Sequence, residues 1–317
     1  LLSGLSVIEA SSFVASPTAG LYLAQMGAEV IRVEQIGGGP DANRWPLAPD
    51  GTSIYRENLD RAKKSVAIDL ANPEGRVLLQ DLAAATGQMI TNLPVNGFLS
   101  HEKLAAKRAD MITVRVMGLA DGGSALDYTV NSAVGFPDLT GVGDEPVNHV
   151  LAAWDLLTGA YAAFAMLAAV HHRTATGEGK EVRIPLIDVA IGTVANLGML
   201  GDIFVNGKGR DRLGNSVYGT FGRDFVTADG MRLMLVAITP RHWSGMVKVL
   251  GIETEIAAIE AERGVSFAQD DGARFNHRDA LFPLVETKIA ARRYDELAAA
   301  FDANGCCYGP YRTMVEA

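Results

Sequence analysis

One long apolar segment, with a single acid at its start, constrains the fold of this chain more than any other feature. The segment runs from Leu156 to Val170, and Asp155 immediately precedes it. A run this apolar has to be buried, but it is shorter than the roughly 18 residues that a membrane span needs. We therefore predict a buried core helix and no association with a membrane.

Asp155 has two interpretations at this position. An aspartate at the start of a helix commonly caps it, because the carboxylate accepts hydrogen bonds from the free N–H groups of the first turn. The same amides and the helix dipole would also keep a partly buried carboxylate ionised and available as a nucleophile. The local pattern favours the cap, because caps are common and catalytic acids are few.

The beginning of the chain predicts an α/β fold. Residues 5–9 and 28–34 have the composition of short buried strands, and Pro17 lies near the start of the helix that separates them. A strand–helix–strand unit of this kind predicts a Rossmann-like parallel sheet. The glycine-rich turn at residues 37–39 follows the second strand rather than the first, which argues against a nicotinamide dinucleotide site.

The chain is predicted to form two domains. Residues 1–200 are expected to form the large Rossmann-like domain. Residues 201–215 are rich in glycine and charge, and predict a linker. In residues 216–317, two apolar runs flank the turn at residues 228–230, and helical patterns follow. This pattern predicts a hairpin within a smaller α+β domain.

Composition narrows the class of protein. The net charge of −9 comes without a basic stripe, which argues against nucleic-acid binding. No cysteine–histidine cluster has the spacing of a zinc site, so we predict no metal. Cys306 and Cys307 are adjacent in sequence and poorly placed for a structural disulfide, which favours reduced thiols. Since the first residues also lack the pattern of a signal peptide, we expect a cytoplasmic protein.

The order of several short motifs resembles the family III CoA-transferases, and the resemblance covers nearly the whole chain. No motif is decisive alone, but the ordered set is specific. It consists of residues 2–7, 23–34, 63–70, 91–92, 154–159, 173–179 and 212–215. The resemblance implies a large CoA-binding domain, a small domain and an interlocked homodimer. It implies no cofactor beyond CoA itself.

The resemblance also implies that Asp155 is a covalent nucleophile, which reverses the local preference for a cap. Its carboxylate would attack an acyl-CoA thioester to give a mixed anhydride and CoA thiolate. The thiolate would then attack the aspartyl carbonyl, leaving an aspartyl-CoA thioester and a free acid, and an acceptor carboxylate would reverse these steps. We regard the capping and nucleophilic roles as compatible.

CoA binding is carried over from the family residue by residue. The positions that match are Val14, Ala15, Gln35, Ile68, Asp69, Leu70, Ala71, Asn92, Leu93, Asp127 and Tyr128.

Two of these positions depart from the pattern of many relatives. Gln35 stands where many relatives have arginine, and the stretch 92–96 lacks the arginine of their Asn-Phe-Arg-Pro-Gly motif. We therefore expect phosphate contacts from elsewhere, and the candidates are Arg32, Arg44, Lys63 and Lys64.

A second group of stretches resembles a branch of the family that moves CoA between the two carboxylates of one branched C4 unsaturated diacid. These stretches are residues 127–131, 147–155, 218–225 and 310–313. A diacid substrate keeps one carboxylate free, and that carboxylate needs a cation or donors. The first candidate is Arg223, and Tyr218, His149 and Arg115 are lesser ones.

Each candidate also has a structural interpretation. Arg223 could simply bridge Asp224 or Asp229, and His149 could be a satisfied core residue. Four other functions stay open: transfer from an acyl-CoA to a separate free acid, a less favoured racemisation, a non-catalytic CoA-binding role and, most remote, a metal- or nicotinamide-dependent enzyme. The racemases of the family have a histidine where Leu126 stands here.

Overall fold

The computed structural model describes residues 1–317 and divides them into two compact units. Unit 1 comprises residues 1–137 and 148–210, and unit 2 comprises residues 138–147 and 211–317. The later division, after residue 210, falls within the stretch predicted as a linker. The assignment of residues 138–147 to unit 2 has no counterpart in the sequence prediction.

Unit 1 is built on a six-stranded parallel sheet with the order β3-β2-β1-β4-β5-β6. The strands are β1 Ser6–Ala10, β2 Glu29–Gln35, β3 Lys64–Ile68, β4 Gln88–Thr91, β5 Ile112–Met117 and β6 Glu181–Pro185. The strand order reverses between β1 and β4, and α/β sheets bind ligands outside the carboxyl ends of the strands at such a point. The predicted Rossmann-like parallel sheet is confirmed.

Helices connect and cover these strands. They are α1 Ala15–Gln25, α2 Ile54–Asp60, α3 Pro73–Thr86, α4 His101–Lys107, α5 Asp127–Ala133, α6 Phe136–Leu139, α7 Ala153–Thr176, α8 Leu186–Asn196 and α9 Met199–Asn206. Helix α9 lies partly within the predicted linker. Successive residues of β1 enter different cores, since Val7 packs with α1 and α7 residues while Ile8 packs with α3 residues. Both faces of the sheet are therefore buried, as expected for a parallel sheet.

Helix α7 is the predicted core helix, but it is longer than the apolar run. Its 24 residues are long and apolar enough to cross a membrane by length and composition alone. Length therefore does not exclude a span, contrary to our expectation. However, Ala162, Met166 and Ala169 are buried in the same core as Val114 of β5. This packing is that of a core helix.

A glycine allows α7 to approach α1 closely. A Cβ atom built on Gly159 would lie 2.6 Å from the carbonyl oxygen of Ala15 and 2.6 Å from the Cβ of Thr18. Asp155 lies one helical turn before Gly159, and Ala15 is the first residue of α1. The close contact therefore sets the position of Asp155 against the loop that follows β1.

Buried ion pairs hold the segment after β2 against the carboxyl ends of β1 and β2. The Arg32 guanidinium lies 3.0 Å from a Glu9 carboxylate oxygen and 3.1 Å from an Asp41 carboxylate oxygen. Asp41 also accepts the N–H of Phe13 at 2.9 Å, and Lys63 pairs with Glu9 at 2.8 Å. Two candidate phosphate ligands, Arg32 and Lys63, are thus engaged in internal ion pairs.

Unit 2 contains a three-stranded antiparallel sheet and five helices. The strands are β7 Phe221–Val226, β8 Arg232–Ala237 and β9 Cys307–Pro310, and the helices are α10 Pro240–Leu250, α11 Glu253–Arg263, α12 Asp271–Asn276, α13 Arg278–Ala290 and α14 Tyr294–Asn304. Val226 pairs with Arg232 across the turn, which confirms the predicted hairpin. Phe221, Phe225 and Trp243 are buried in the core of this unit.

We expect Gly159→Ala to destabilise unit 1, because the added methyl group meets backbone and Cβ atoms that cannot rotate away. The cost of such overpacking is about 1–3 kcal/mol, whereas an unhindered glycine-to-alanine change in a helix stabilises by about 1 kcal/mol. Gly192 in α8 is a matched control, since a Cβ there meets nothing within 4 Å. Urea unfolding should show a loss for Gly159→Ala and a gain for Gly192→Ala. Equal gains would contradict the close packing.

Candidate active site

A cavity of about 470 Å³ opens in unit 1 at the first turn of α7, and Asp155 forms part of its wall. Its lining residues are Phe13, Val14, Arg44, Tyr55, Asn58, Leu59, Leu126, Asp127, Tyr128, Val150, Leu151, Ala152, Asp155 and Leu156. A mostly apolar cavity with a few convergent polar groups is the usual form of a small-molecule site. The cavity therefore marks the candidate active site.

Asp155 does not cap its own helix. It is the third residue of α7, and the N-cap residue, Ala152, makes no side-chain cap. Instead, Asp127 at the start of α5 accepts the N–H of Trp154 at 2.7 Å and the N–H of Asp155 at 3.1 Å. The expectation that Asp155 is the cap is wrong, because Asp127 already occupies these amides. The Asp155 carboxylate stays free to face the cavity.

The environment makes the Asp155 carboxylate unusually basic. Burial and, to a smaller extent, the neighbouring Asp127 carboxylate raise its pKa to about 6, against the opposing effect of Arg44. Desolvation and a like charge both disfavour the ionised form. A carboxylate of higher basicity is a stronger nucleophile, and above pH 6 it is still largely ionised. These properties suit attack on a thioester.

A hydrogen-bonded network joins two stretches that are remote in sequence. Asp127 bonds the Nε2 of His149 at 2.6 Å with the carboxylate oxygen that does not cap α7. One turn further along α5, Asn131 accepts the indole N–H of Trp154 at 3.1 Å and donates to Asn148 at 2.6 Å. The two stretches that suggested the diacid branch of the family, residues 127–131 and 147–155, are therefore in direct contact.

Tyr55 is a site residue that sequence reasoning missed. Its hydroxyl is buried without a hydrogen-bond partner, and burial raises its pKa to about 12. The Arg44 guanidinium lies 4.9 Å from the centre of its ring and 5.7 Å from the Phe13 ring. A buried hydroxyl without a hydrogen-bond partner destabilises the protein unless a ligand forms a hydrogen bond with it. No local pattern distinguishes Tyr55 from the other tyrosines, because its place beside the cavity is tertiary.

The other residues predicted to bind CoA lie at the carboxyl ends of β1 to β4. Val14 lines the cavity and Ala15 begins α1, while Gln35 ends β2. Ile68 is the last residue of β3, and the residues Asp69, Leu70 and Ala71 follow it. Asn92 and Leu93 follow β4, and the Asn92 side chain bonds both backbone groups of Ser12. The structure thus gathers these residues at the edge where ligands bind.

Arg115 is not available for a substrate carboxylate. Its side chain is fully buried in β5, where it pairs with Glu181 at 2.8 Å. It also donates to the carbonyl oxygens of Leu93 at 2.6 Å and Leu99 at 2.7 Å. Its guanidinium therefore holds the loop after β4, which corrects the suggestion that it binds substrate.

Tyr218 and Arg223 belong to unit 2, whereas Asp155 and His149 belong to unit 1. Arg223 lines a cavity of about 1310 Å³, pairs with Glu286 at 3.0 Å and lies over the rings of Phe225 and Phe282. The suggested ion pairs with Asp224 and Asp229 do not form. Asp224 pairs with Arg232 instead, and Asp229 accepts a hydrogen bond from the hydroxyl of Thr227.

No group of three or more histidine, cysteine or acidic side chains is placed to hold a metal.

We expect Asp155→Asn to stabilise the folded protein at neutral pH. The folded-state pKa of about 6 lies above the unfolded value near 3.9. Ionisation of Asp155 therefore lowers the free energy of unfolding, and this loss is absent below pH 4 and complete above pH 6. The gain should be on the order of 3 kcal/mol at pH 8, since the two pKa values differ by about two units and one unit is worth about 1.4 kcal/mol. Thermal unfolding of both proteins across pH 4 to 8 measures it.

The exposed Asp188 in the first turn of α8 provides the control for loss of one negative charge. Asp188→Asn removes a favourable interaction with the helix dipole, so it should bring no gain. A pH-independent difference between wild type and Asp155→Asn would argue against the raised pKa.

The comparisons with known proteins agree with this geometry. The family model described as CoA-transferase family III matches residues 2–317. The chain is 43% identical to the 2-methylfumaryl-CoA isomerase of Chloroflexus aurantiacus, covering 100% of the chain and 79% of that relative. It is 30% identical to the succinate–glutarate CoA-transferase of Agrobacterium fabrum, covering 99% and 81%.

A crystal structure with a similar fold is that of a CaiB/BaiF family protein from Brucella suis. It superposes with a TM-score of 0.80 at 27% identity, covering 99% of this chain and 85% of that one. The sequence matches and the shared fold lead to one conclusion: the chain belongs to CoA-transferase family III and is an enzyme of this kind.

Proposed function

We propose that this enzyme moves CoA from the C1 to the C4 carboxylate of a 2-methylfumaryl (mesaconyl) group through a covalent intermediate on Asp155. The observation that carries the proposal is a free, unusually basic carboxylate in a small cavity. The 43% identity to a relative named 2-methylfumaryl-CoA isomerase supports the choice of substrate.

The first half of the reaction transfers CoA to the enzyme. A carboxylate oxygen of Asp155 attacks the thioester carbonyl, the C–S bond breaks, and CoA leaves as a thiolate. The thiolate then attacks the Cγ atom of Asp155 in the mixed anhydride. The C–O bond to Cγ breaks, which leaves an aspartyl-CoA thioester and the free diacid as a dianion.

The second half runs in reverse at the other end of the substrate. The diacid turns within the cavity, and its C4 carboxylate attacks the Cγ atom of Asp155, which releases the thiolate again. The thiolate attacks the C4 carbonyl of the new anhydride and restores the Asp155 carboxylate. Each step exchanges one acyl bond for another, so no external base, oxidant or reductant is required.

The surroundings of Asp155 fit this chemistry. Asp127 fixes the backbone of Trp154 and Asp155 through two hydrogen bonds, which holds the nucleophile in position. Val14, Leu151 and Leu156 form an apolar part of the cavity wall that also contains the Asp155 carboxylate. An apolar wall limits access of water to the anhydride and thioester, both of which hydrolyse.

Conversion of mesaconyl-C1-CoA to its C4 isomer should be visible by chromatography with the wild-type protein and absent with Asp155→Ala. Labelled free mesaconate added to the same reaction should stay out of the CoA esters, because the acid does not leave the cavity.

Hydroxylamine present during turnover should convert Asp155 to its hydroxamate, which peptide mass spectrometry detects.

The second candidate is transfer from an acyl-CoA to a separate acid, which the 30% identity to a succinate–glutarate CoA-transferase favours. Entry of label into the ester pool at the turnover rate would select this function. Turnover in hydroxylamine without modification of Asp155 would instead count against the covalent route in both functions.

Arg44 and Tyr55 are the proposed ligands of the free substrate carboxylate. The supporting observations are the unpartnered Tyr55 hydroxyl and the Arg44 guanidinium beside it in the cavity. This assignment takes the place of Arg115, whose guanidinium is engaged in the protein.

We expect Tyr55→Phe to lower kcat/KM by roughly 10- to 100-fold, because a hydrogen bond to a charged group contributes about 1.5–3 kcal/mol. Steady-state kinetics with the C1 ester measures this. Tyr22→Phe on α1, outside the cavity lining, is the matched control and should leave kcat/KM unchanged. A similar effect of both variants would remove Tyr55 from the site.

We also propose that the enzyme is a homodimer. The proposal is supported by the large apolar side chains of α7 and α9 that are more than half exposed, which are Tyr161, Phe164, Phe204 and Val205. Light scattering should give twice the chain mass, and Phe204→Glu should shift the protein toward monomer. A monomeric wild-type protein at micromolar concentration would contradict the proposal.

A further inference from the structure

His149 lies behind the nucleophile rather than in the cavity. Its Nε2 atom is 2.6 Å from one Asp127 carboxylate oxygen, and the other oxygen of Asp127 accepts the N–H groups of Trp154 and Asp155. His149 is not among the residues that line the cavity around Asp155. The Asp127 carboxylate therefore connects the imidazole to the backbone of the nucleophile.

The backbone around His149 is held as firmly as its side chain. Its N–H donates to the Asn148 side chain at 3.0 Å, and the same oxygen accepts a bond from Asn131. The Tyr128 ring packs against the imidazole edge to face, at 5.9 Å between centroids. The imidazole is thus kept beside Asp127, while 24% of its side chain remains exposed and can exchange protons with solvent.

The protonation state of His149 changes the net charge beside Asp155. With a neutral imidazole that donates its Nε2 hydrogen, the Asp127–His149 pair carries one negative charge. With an imidazolium the pair is neutral. Asp127 is 1% exposed, so solvent screens its charge weakly. Histidine is the side chain whose charge changes between about pH 5 and 8.

We propose that His149 is a positioning residue that, through Asp127, sets the charge next to Asp155 and thereby the pH range in which Asp155 acts as a nucleophile. A cationic His149 cancels the charge of Asp127 and lets Asp155 ionise in more acidic solution. A neutral His149 restores that charge and makes the Asp155 carboxylate more basic. The nucleophilic role of Asp155 comes from the proposed function, on which this inference rests.

The other charged and titratable groups near this pair come from several elements. The ones that face Asp155 across the cavity are Arg44, Tyr55 and Tyr128. Arginine and tyrosine side chains ordinarily titrate far outside pH 5 to 8, whereas histidine side chains titrate within it. Among the histidine side chains, His149 is the one that contacts Asp127 directly.

Two substitutions should move the acid limb of the kcat profile in opposite directions. His149→Gln keeps a donor for Asp127 but never becomes cationic, so the limb should move to higher pH. His149→Lys remains cationic, so the limb should move to lower pH. We expect shifts of roughly half a pH unit, a fraction of the one to three units that a directly adjacent charge produces. KM should change less than twofold.

The decisive test repeats both His149 substitutions in a protein that also carries Asp127→Asn. The amide keeps the shape of the carboxylate and can still accept the two backbone N–H groups, but it has no charge for His149 to offset. In this background, His149→Gln and His149→Lys should give coincident acid limbs, a double-mutant cycle that reports the coupling directly. A limb that moves equally in both backgrounds would overturn the inference, as would a limb that stays in place while KM rises.

NMR titration of the Asp155 side-chain carbon in the free enzyme gives the same information without turnover. The Asp155 midpoint should rise in His149→Gln and fall in His149→Lys, and these changes should vanish with Asp127→Asn. If the isomerase reaction fails but these midpoints move, the proposed function is wrong and the coupling stands. Unmoved midpoints in an active enzyme would reject the coupling alone.

Discussion

The hydrogen bonds from the first turn of α7 to the Asp127 carboxylate are the interaction on which the candidate site depends. A helix N-terminus leaves amides without partners and carries a partial positive charge, so a carboxylate there is stabilised. Here that carboxylate comes from another helix, and it leaves the Asp155 side chain free. This one contact therefore pairs the free amides of α7, fixes the backbone of Asp155, the proposed nucleophile, and places a negative charge beside it.

The same contact also raises the free energy that is needed to ionise Asp155. Two carboxylates at one helix end repel each other, and burial adds to the cost of ionising Asp155. Other buried charges of this unit are paired, as Arg32 is with Glu9 and Asp41, and Arg115 is with Glu181. The raised pKa belongs to Asp155, the carboxylate that we propose as the nucleophile.

Several features of the fold were predictable because their causes are local or periodic. Apolar strands alternating with helices indicate a parallel sheet, and the hairpin around residues 228–230 follows from its turn residues. The acid before the apolar helix marked the place where the cavity lies. The polar residues of 127–131 and 147–155 were recognisable as a set through the family resemblance, although their hydrogen bonds to one another were not.

The sequence by itself determined the fold class, the family and the residue at which chemistry is to be sought, since period, turn chemistry and ordered motifs are properties of the chain. Only the tertiary structure decided which carboxylate caps α7, that Arg115 holds a loop and that Tyr55 lines the cavity. These facts depend on contacts between segments far apart in the chain. The partner of a buried polar group is chosen by packing, and local sequence does not encode it.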